Sequence, residues 1–137
     1  AADRRPVRRD LDLCLIDSRM PGNYIVGDGA SWSVRVTTTG VIQTNFGTAL
    51  NSAAGEIIDG NDYRLIISAN GGSTQTFTGN VSVASGAGGS TGITSINLGN
   101  RQPAGGLPMA GRIYRACVIP GILSATDRGR LDGWLTP

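Results

Sequence analysis

Histidine and lysine are both absent from the 137 residues; glutamate occurs once, as Glu56, and cysteine twice, as Cys14 and Cys117. Without an imidazole, the usual general base near neutral pH and the usual histidine metal ligand are missing, so Ser-His-Asp and Cys-His chemistry are excluded. Two cysteines cannot build a disulfide framework. A bond between them requires their strands to be neighbours, and the other reading is a pair of small buried thiols. Charged residues make up only 16% of the chain and aromatic residues 5%, and no apolar run approaches the ~18 residues of a membrane span. Membrane insertion is therefore not expected. The net charge of +2 is too small to point to nucleic acid. No signal-peptide pattern opens the chain, which starts at Ala1 and reads either as a processed form or as part of a longer one.

Glycine, by contrast, is plentiful at 21 residues, and the length suits one domain with one core. All 12 basic residues are arginine. Four of them, Arg4, Arg5, Arg8 and Arg9, fall within residues 1–10, which read as an arginine-rich arm for an acidic partner surface rather than a DNA-reading element.

The rest of the chain, 11–137, is strand and turn until its end. Leucine alternates with other residues over 11–16, and 24–26 is a short strand. Trp32, Val34 and Val36 alternate with Ser33, Arg35 and Thr37, which gives that strand one wet face. A turn at Gly40 returns the chain along 41–46, and 51–60 is a polar connection. Strands follow at 63–68 and 73–78, where Thr74, Thr76 and Thr78 make a polar face, and at 81–84. The glycine-rich 86–90 lacks the lysine of a phosphate loop and reads as a flexible connector. A strand at 93–98 precedes a long loop at 99–110. Residues 112–119 carry apolar side chains on both alternating faces, as in a strand covered on both sides. Ser124 with Asp127 three residues later resembles a capping box and predicts a helix at 124–135, docked through Leu131, Trp134 and Leu135. Short strands with regular turn signals and no parallel crossover predict an all-β, antiparallel β-sandwich with one short C-terminal helix.

The last stretch carries a family resemblance. Gly111, Ile113, Tyr114 and Val118, followed by Leu123-Ser124-Ala125, Arg128, Leu131, Trp134 and Leu135, resemble the end of concanavalin A-like, LamG-like jelly-roll domains. Such domains occur in bacteriophage virion proteins and in secreted bacterial carbohydrate-binding modules. The likeness extends upstream through 31–36 with Gly40, 63–67 and 91–100, while the hairpin at 77–83 departs from the family form. The resemblance implies jelly-roll connectivity and a non-catalytic, lectin-like protein of a phage particle, on the capsid or a tail or fibre appendage. Its work there would be assembly, surface decoration or host-glycan attachment. Its expected partners are other virion proteins, further copies of itself and a surface glycan, and its expected location is the virion surface. The alternative is an extracellular carbohydrate-binding module.

Jelly-roll glycoside hydrolases use paired carboxylates, normally two glutamates on one strand, and the single Glu56 sits in a connection, so no enzyme is expected. No cofactor is expected either. Some LamG-like domains bind calcium between loops, which makes Asp59, Asn61 and Asp62 calcium candidates, although these are also the residues that turns require. Asp28 between Gly27 and Gly29 is judged the same way. Trp32 and Trp134 occupy apolar-face positions and read as core. Tyr24 and Arg101 are the residues freer to touch a glycan.

Overall fold

The computed structural model describes residues 11–14, 23–28, 31–100 and 109–136. Two five-stranded antiparallel sheets face each other, as the strand pattern predicts. Strands β1 (Leu11–Cys14), β6 (Arg64–Ser68), β7 (Thr74–Thr78), β8 (Val81–Gly86) and β10 (Ala116–Cys117) form one, in the order β10-β1-β6-β7-β8. Strands β2 (Asn23–Gly27), β3 (Ser33–Val36), β4 (Ile42–Asn45), β5 (Ala49–Asn51) and β9 (Asn97–Leu98) form the other, in the order β5-β4-β3-β2-β9. The chain changes sheet after β1, β5, β8 and β9, and α1 (Ala125–Leu135) closes the described structure. No helix among the described residues is long and apolar enough to cross a membrane.

The core lies between the sheets, where Val26, Trp32, Val34, Val36, Ile42 and Phe46 meet Ile57, Leu65 and Ile67. Trp32 is core, as its alternation predicts: its ring stacks on Phe46 with centroids 5.6 Å apart, and its indole N–H donates to the Ser95 carbonyl at 3.2 Å. Asp28 is structural too, since its Oδ1 accepts the amides of Ser31 at 2.7 Å and Trp32 at 3.0 Å and so fixes the entry to β3.

Several expectations are corrected. The threonine face of β7 points inward: Thr76 pairs with Ile67, Thr78 with Leu65, and Thr74 and Thr76 are buried. The Thr74 hydroxyl is satisfied locally, accepting the Asn70 amide at 3.2 Å and donating to the Gly71 carbonyl at 3.3 Å. Thr78 donates to Glu56 Oε1 at 2.8 Å. Among the described residues the Thr76 hydroxyl has no partner. The outward residues of this hairpin are instead Ile66 and Phe77, which α1 covers with Leu135.

The glycine-rich stretch at 86–90 is a fixed strap between the sheets rather than a flexible link. The Gly88 carbonyl accepts the amides of Phe46 at 3.1 Å and Thr48 at 3.3 Å, Gly88 N–H donates to Gly71 at 3.0 Å, and Thr91 N–H donates to Phe46 at 2.9 Å. Backbone stands so close that a Cβ at Gly89 would lie 2.2 Å from the Phe46 oxygen. Of 93–98 only Asn97–Leu98 pairs, and Ile93 and Ile96 are exposed. Of 112–119 only Ala116–Cys117 forms a strand, at the edge of its sheet, with Tyr114 exposed rather than covered. Its neighbour is β1, so Cys14 and Cys117 do lie on paired strands, but Cys117 stands opposite Asp12, two positions from Cys14.

The helix begins where its cap predicts. Ser124 is extended, its Oγ accepts the Asp127 amide at 3.1 Å and donates to the Asp127 carboxylate at 2.9 Å. Its docking face is rotated from the expected apolar stripe. Arg128, Asp132 and Leu135, at i, i+4 and i+7, meet the sheet. Arg128 lies 4.1 Å from the Phe77 ring centroid and donates to Asn80 at 2.8 Å, and Asp132 pairs with Arg64 at 2.8 Å. Trp134 is 38% exposed, with Arg115 over its ring and donating to its carbonyl, so it is not core.

Candidate functional site

Alternation in β3 and β4 sends Val34, Val36, Ile42 and Thr44 into the core and leaves Ser33, Arg35, Gln43 and Asn45 on the outer face. In β2 a register shift between Tyr24 and Val26 lets Ile25 and Val26 both join the core, while Tyr24 pairs with Arg35 on the outer side. Antiparallel register then sets four polar or aromatic residues side by side, because Tyr24 is opposite Arg35, Arg35 opposite Gln43, and Gln43 opposite Asn51.

These four form a connected row across β2, β3, β4 and β5. Gln43 Nε2 donates to Asn51 Oδ1 at 2.9 Å, which turns Gln43 Oε1 toward Arg35, whose Nε–H donates to it at 2.6 Å. The guanidinium carbon then lies 5.6 Å from the Tyr24 ring centroid, within cation–π range. Beside the row is a hollow of about 170 Å³ lined by Tyr24, Ser31, Trp32, Ser33, Arg35, Gln43 and Asn45. Among the described residues of that lining, Arg35 is the one charged side chain and none is a carboxylate. The space is smaller than the roughly 300–1,000 Å³ clefts that engulf drug-sized ligands. It suits a single polar ring resting on the sheet, met by amides, hydroxyls and a guanidinium.

Tyr24 therefore lies in the site, buried beneath Arg35 rather than presenting an open ring. Arg101 and the arm residues Arg4, Arg5, Arg8 and Arg9 lie outside the described residues. Asp59, Asn61 and Asp62 are exposed in the connection between β5 and β6. Among the described residues no three His, Cys, Asp or Glu side chains converge as a metal site. Sequence reasoning missed Arg35, Gln43, Asn45 and Asn51 as a group. Their outward alternation was legible for Arg35, but the segment holding Asn51 reads as a connection, and β5 is the strand that completes the row.

Among solved structures, a putative carbohydrate binding protein from Bacteroides ovatus ATCC 8483 matches with a TM-score of 0.74 over 88% of this chain, at 13% identity. This chain spans 39% of that protein's length. At that identity the likeness is one of fold: an all-β sandwich. No family model matches the sequence, and no curated protein matches it.

Proposed function

We propose that this chain is a non-catalytic, lectin-like domain that binds a glycan on the outer face of the β2-β3-β4-β5 sheet. The observation that carries this reading is the row hydrogen-bonded from Asn51 to Arg35 and continued by the cation–π contact to Tyr24, beside a polar hollow. Sugar rings are recognised by planar amides and guanidinium groups that meet adjacent hydroxyls, and such groups bind best when their own partners hold them in place. The fold likeness to a putative carbohydrate binding protein supports the same reading. A glycan array with the full chain tests it, against a Gln43→Ala/Asn45→Ala double variant as control. The expected result is a set of glycans retained by the native chain and lost by the variant. Retention of no glycan, or equal retention by the variant, removes the reading.

A second reading concerns where the domain is mounted. The pattern 111–135 resembles phage jelly-roll ends, and on that ground the domain belongs to a virion surface, with Arg4, Arg5, Arg8 and Arg9 pairing to acidic surface on other virion proteins or on further copies. An extracellular module is the competing location. Deleting residues 1–9 tests the arm, since particles that still carry the truncated protein at full occupancy would remove its role, and absence of the native chain from particles would favour the extracellular location.

A further inference from the structure

Resting on the glycan reading above, we infer that the glycan is acidic: the hollow takes a sugar carboxylate, of the uronate or sialate kind, against the Nη edge of Arg35. Three observations lead there. Among the described residues of the lining, Arg35 is the one charge and none is a carboxylate. Among the described residues Arg35 takes part in no ion pair, since the pairs there are Arg64 with Asp132 and Arg130 with Asp127, and its hydrogen bond to Gln43 uses Nε alone. A cation that already had a carboxylate partner would gain little from an acidic ligand.

The third observation is that the guanidinium is held before any ligand arrives. Its Nε–H is fixed by Gln43 Oε1 at 2.6 Å, Gln43 is fixed in turn by Asn51 at 2.9 Å, and one face lies toward Tyr24. Binding through one edge and stacking on one face leave the Nη pair as the free donor edge, in the plane set by the row. Two parallel N–H groups match the two oxygens of a carboxylate, and a fork already fixed in place loses little freedom on binding. Ser33, Asn45 and the Gln43 amide supply neutral donors and acceptors for the hydroxyls of the same ring. The partial burial of Arg35 limits screening by salt, so the contact is worth more than a surface ion pair.

The test is an array bearing oligogalacturonate, oligoguluronate, hyaluronan fragments and sialyllactose, each printed beside its carboxyl methyl ester, together with neutral and sulfated oligosaccharides. Calorimetry on the strongest probe then follows for the native chain, Arg35→Gln, Arg35→Lys and Gln43→Ala. The expected result is retention of free acids and not of their esters. Arg35→Gln should weaken binding about 10–100-fold, which is the size of a lost charge-assisted hydrogen-bonded pair. Arg35→Lys, which keeps the charge without the fork, should fall between, and Gln43→Ala should weaken acid binding while Arg35 is still present. Unchanged thermal melting of the variants shows that the losses are local. Binding of esters or neutral sugars as tightly as acids, binding of sulfated sugars alone, or an unaltered affinity in Arg35→Gln overturns the inference and leaves glycan recognition standing. Retention of nothing on the array overturns both.

Discussion

Replacing Gly89 by alanine tests the strap that ties the two sheets together. Gly89 has φ +86°, and a Cβ there would stand 2.2 Å from the Phe46 oxygen and 2.8 Å from both the Phe46 carbon and the Thr48 nitrogen. These are backbone atoms of the facing sheet, so no rotamer change relieves the overlap and the strap itself must move away. The left-handed conformation costs alanine about 1–2 kcal/mol. Moving the strap also strains the bonds at 46–48 with Gly88 and Thr91, and losing two of them at a net ~0.5–1.5 kcal/mol each brings the total to about 2–5 kcal/mol. Two controls divide that sum. Gly60 shares the left-handed backbone, at φ +80°, but has open space around it, and Gly92 has open space without the positive φ. Gly60→Ala should then cost about 1 kcal/mol, and Gly92→Ala should change stability by less than ~0.5 kcal/mol. Denaturant titration measures all three, the midpoints being compared at unchanged slope. Because Phe46 stacks on Trp32, the Gly89 variant should also alter near-ultraviolet circular dichroism. If Gly89→Ala is no more damaging than Gly60→Ala, the strap is not held as described.

The helix and the threonine face yield two further predictions. Leu135 is buried against Ile66 and Phe77, so Leu135→Ala should destabilise by about 2–4 kcal/mol, whereas Trp134→Ala, at an exposed position, should cost less than about 1 kcal/mol; a comparable loss for both in denaturant titration would return Trp134 to the docking stripe that the sequence alone predicts. Thr76→Val removes a buried hydroxyl that has no partner among the described residues and keeps the β-branched shape, so thermal unfolding should show a gain of about 1 kcal/mol. A loss of that size would mean that the hydroxyl is satisfied in solution.

Much of the sandwich is legible along the chain. The alternation in 33–36 states which side chains face inward, and the structure follows it residue by residue. Ser124 and Asp127 mark the helix start through a local hydrogen bond that needs no tertiary contact. The missing histidine removes imidazole chemistry before any geometry is known. Period 2 fails where both faces of a strand are covered. In β7 the apolar Phe77 and the threonines compete for the inside, and the outcome rests on α1, which lies some fifty residues later in the chain and shelters Phe77 from the other side. Likewise, the sequence of 86–90 permits flexibility, and only the nearness of Phe46 and Thr48 makes that glycine run a fixed strap.

The candidate site divides in the same way. Composition and alternation determined that the chain would be a β-sandwich with a capped terminal helix, without imidazole chemistry, and with Arg35 on a wet face, because these follow from residue type and from spacing within a single strand. Tertiary structure alone decided that Tyr24, Arg35, Gln43 and Asn51 stand in one row. Alternation tells each residue which side of its sheet it occupies, but cross-strand neighbours are set by turn geometry, by the register shift after Tyr24 and by the pairing of β5, none of which a single strand encodes.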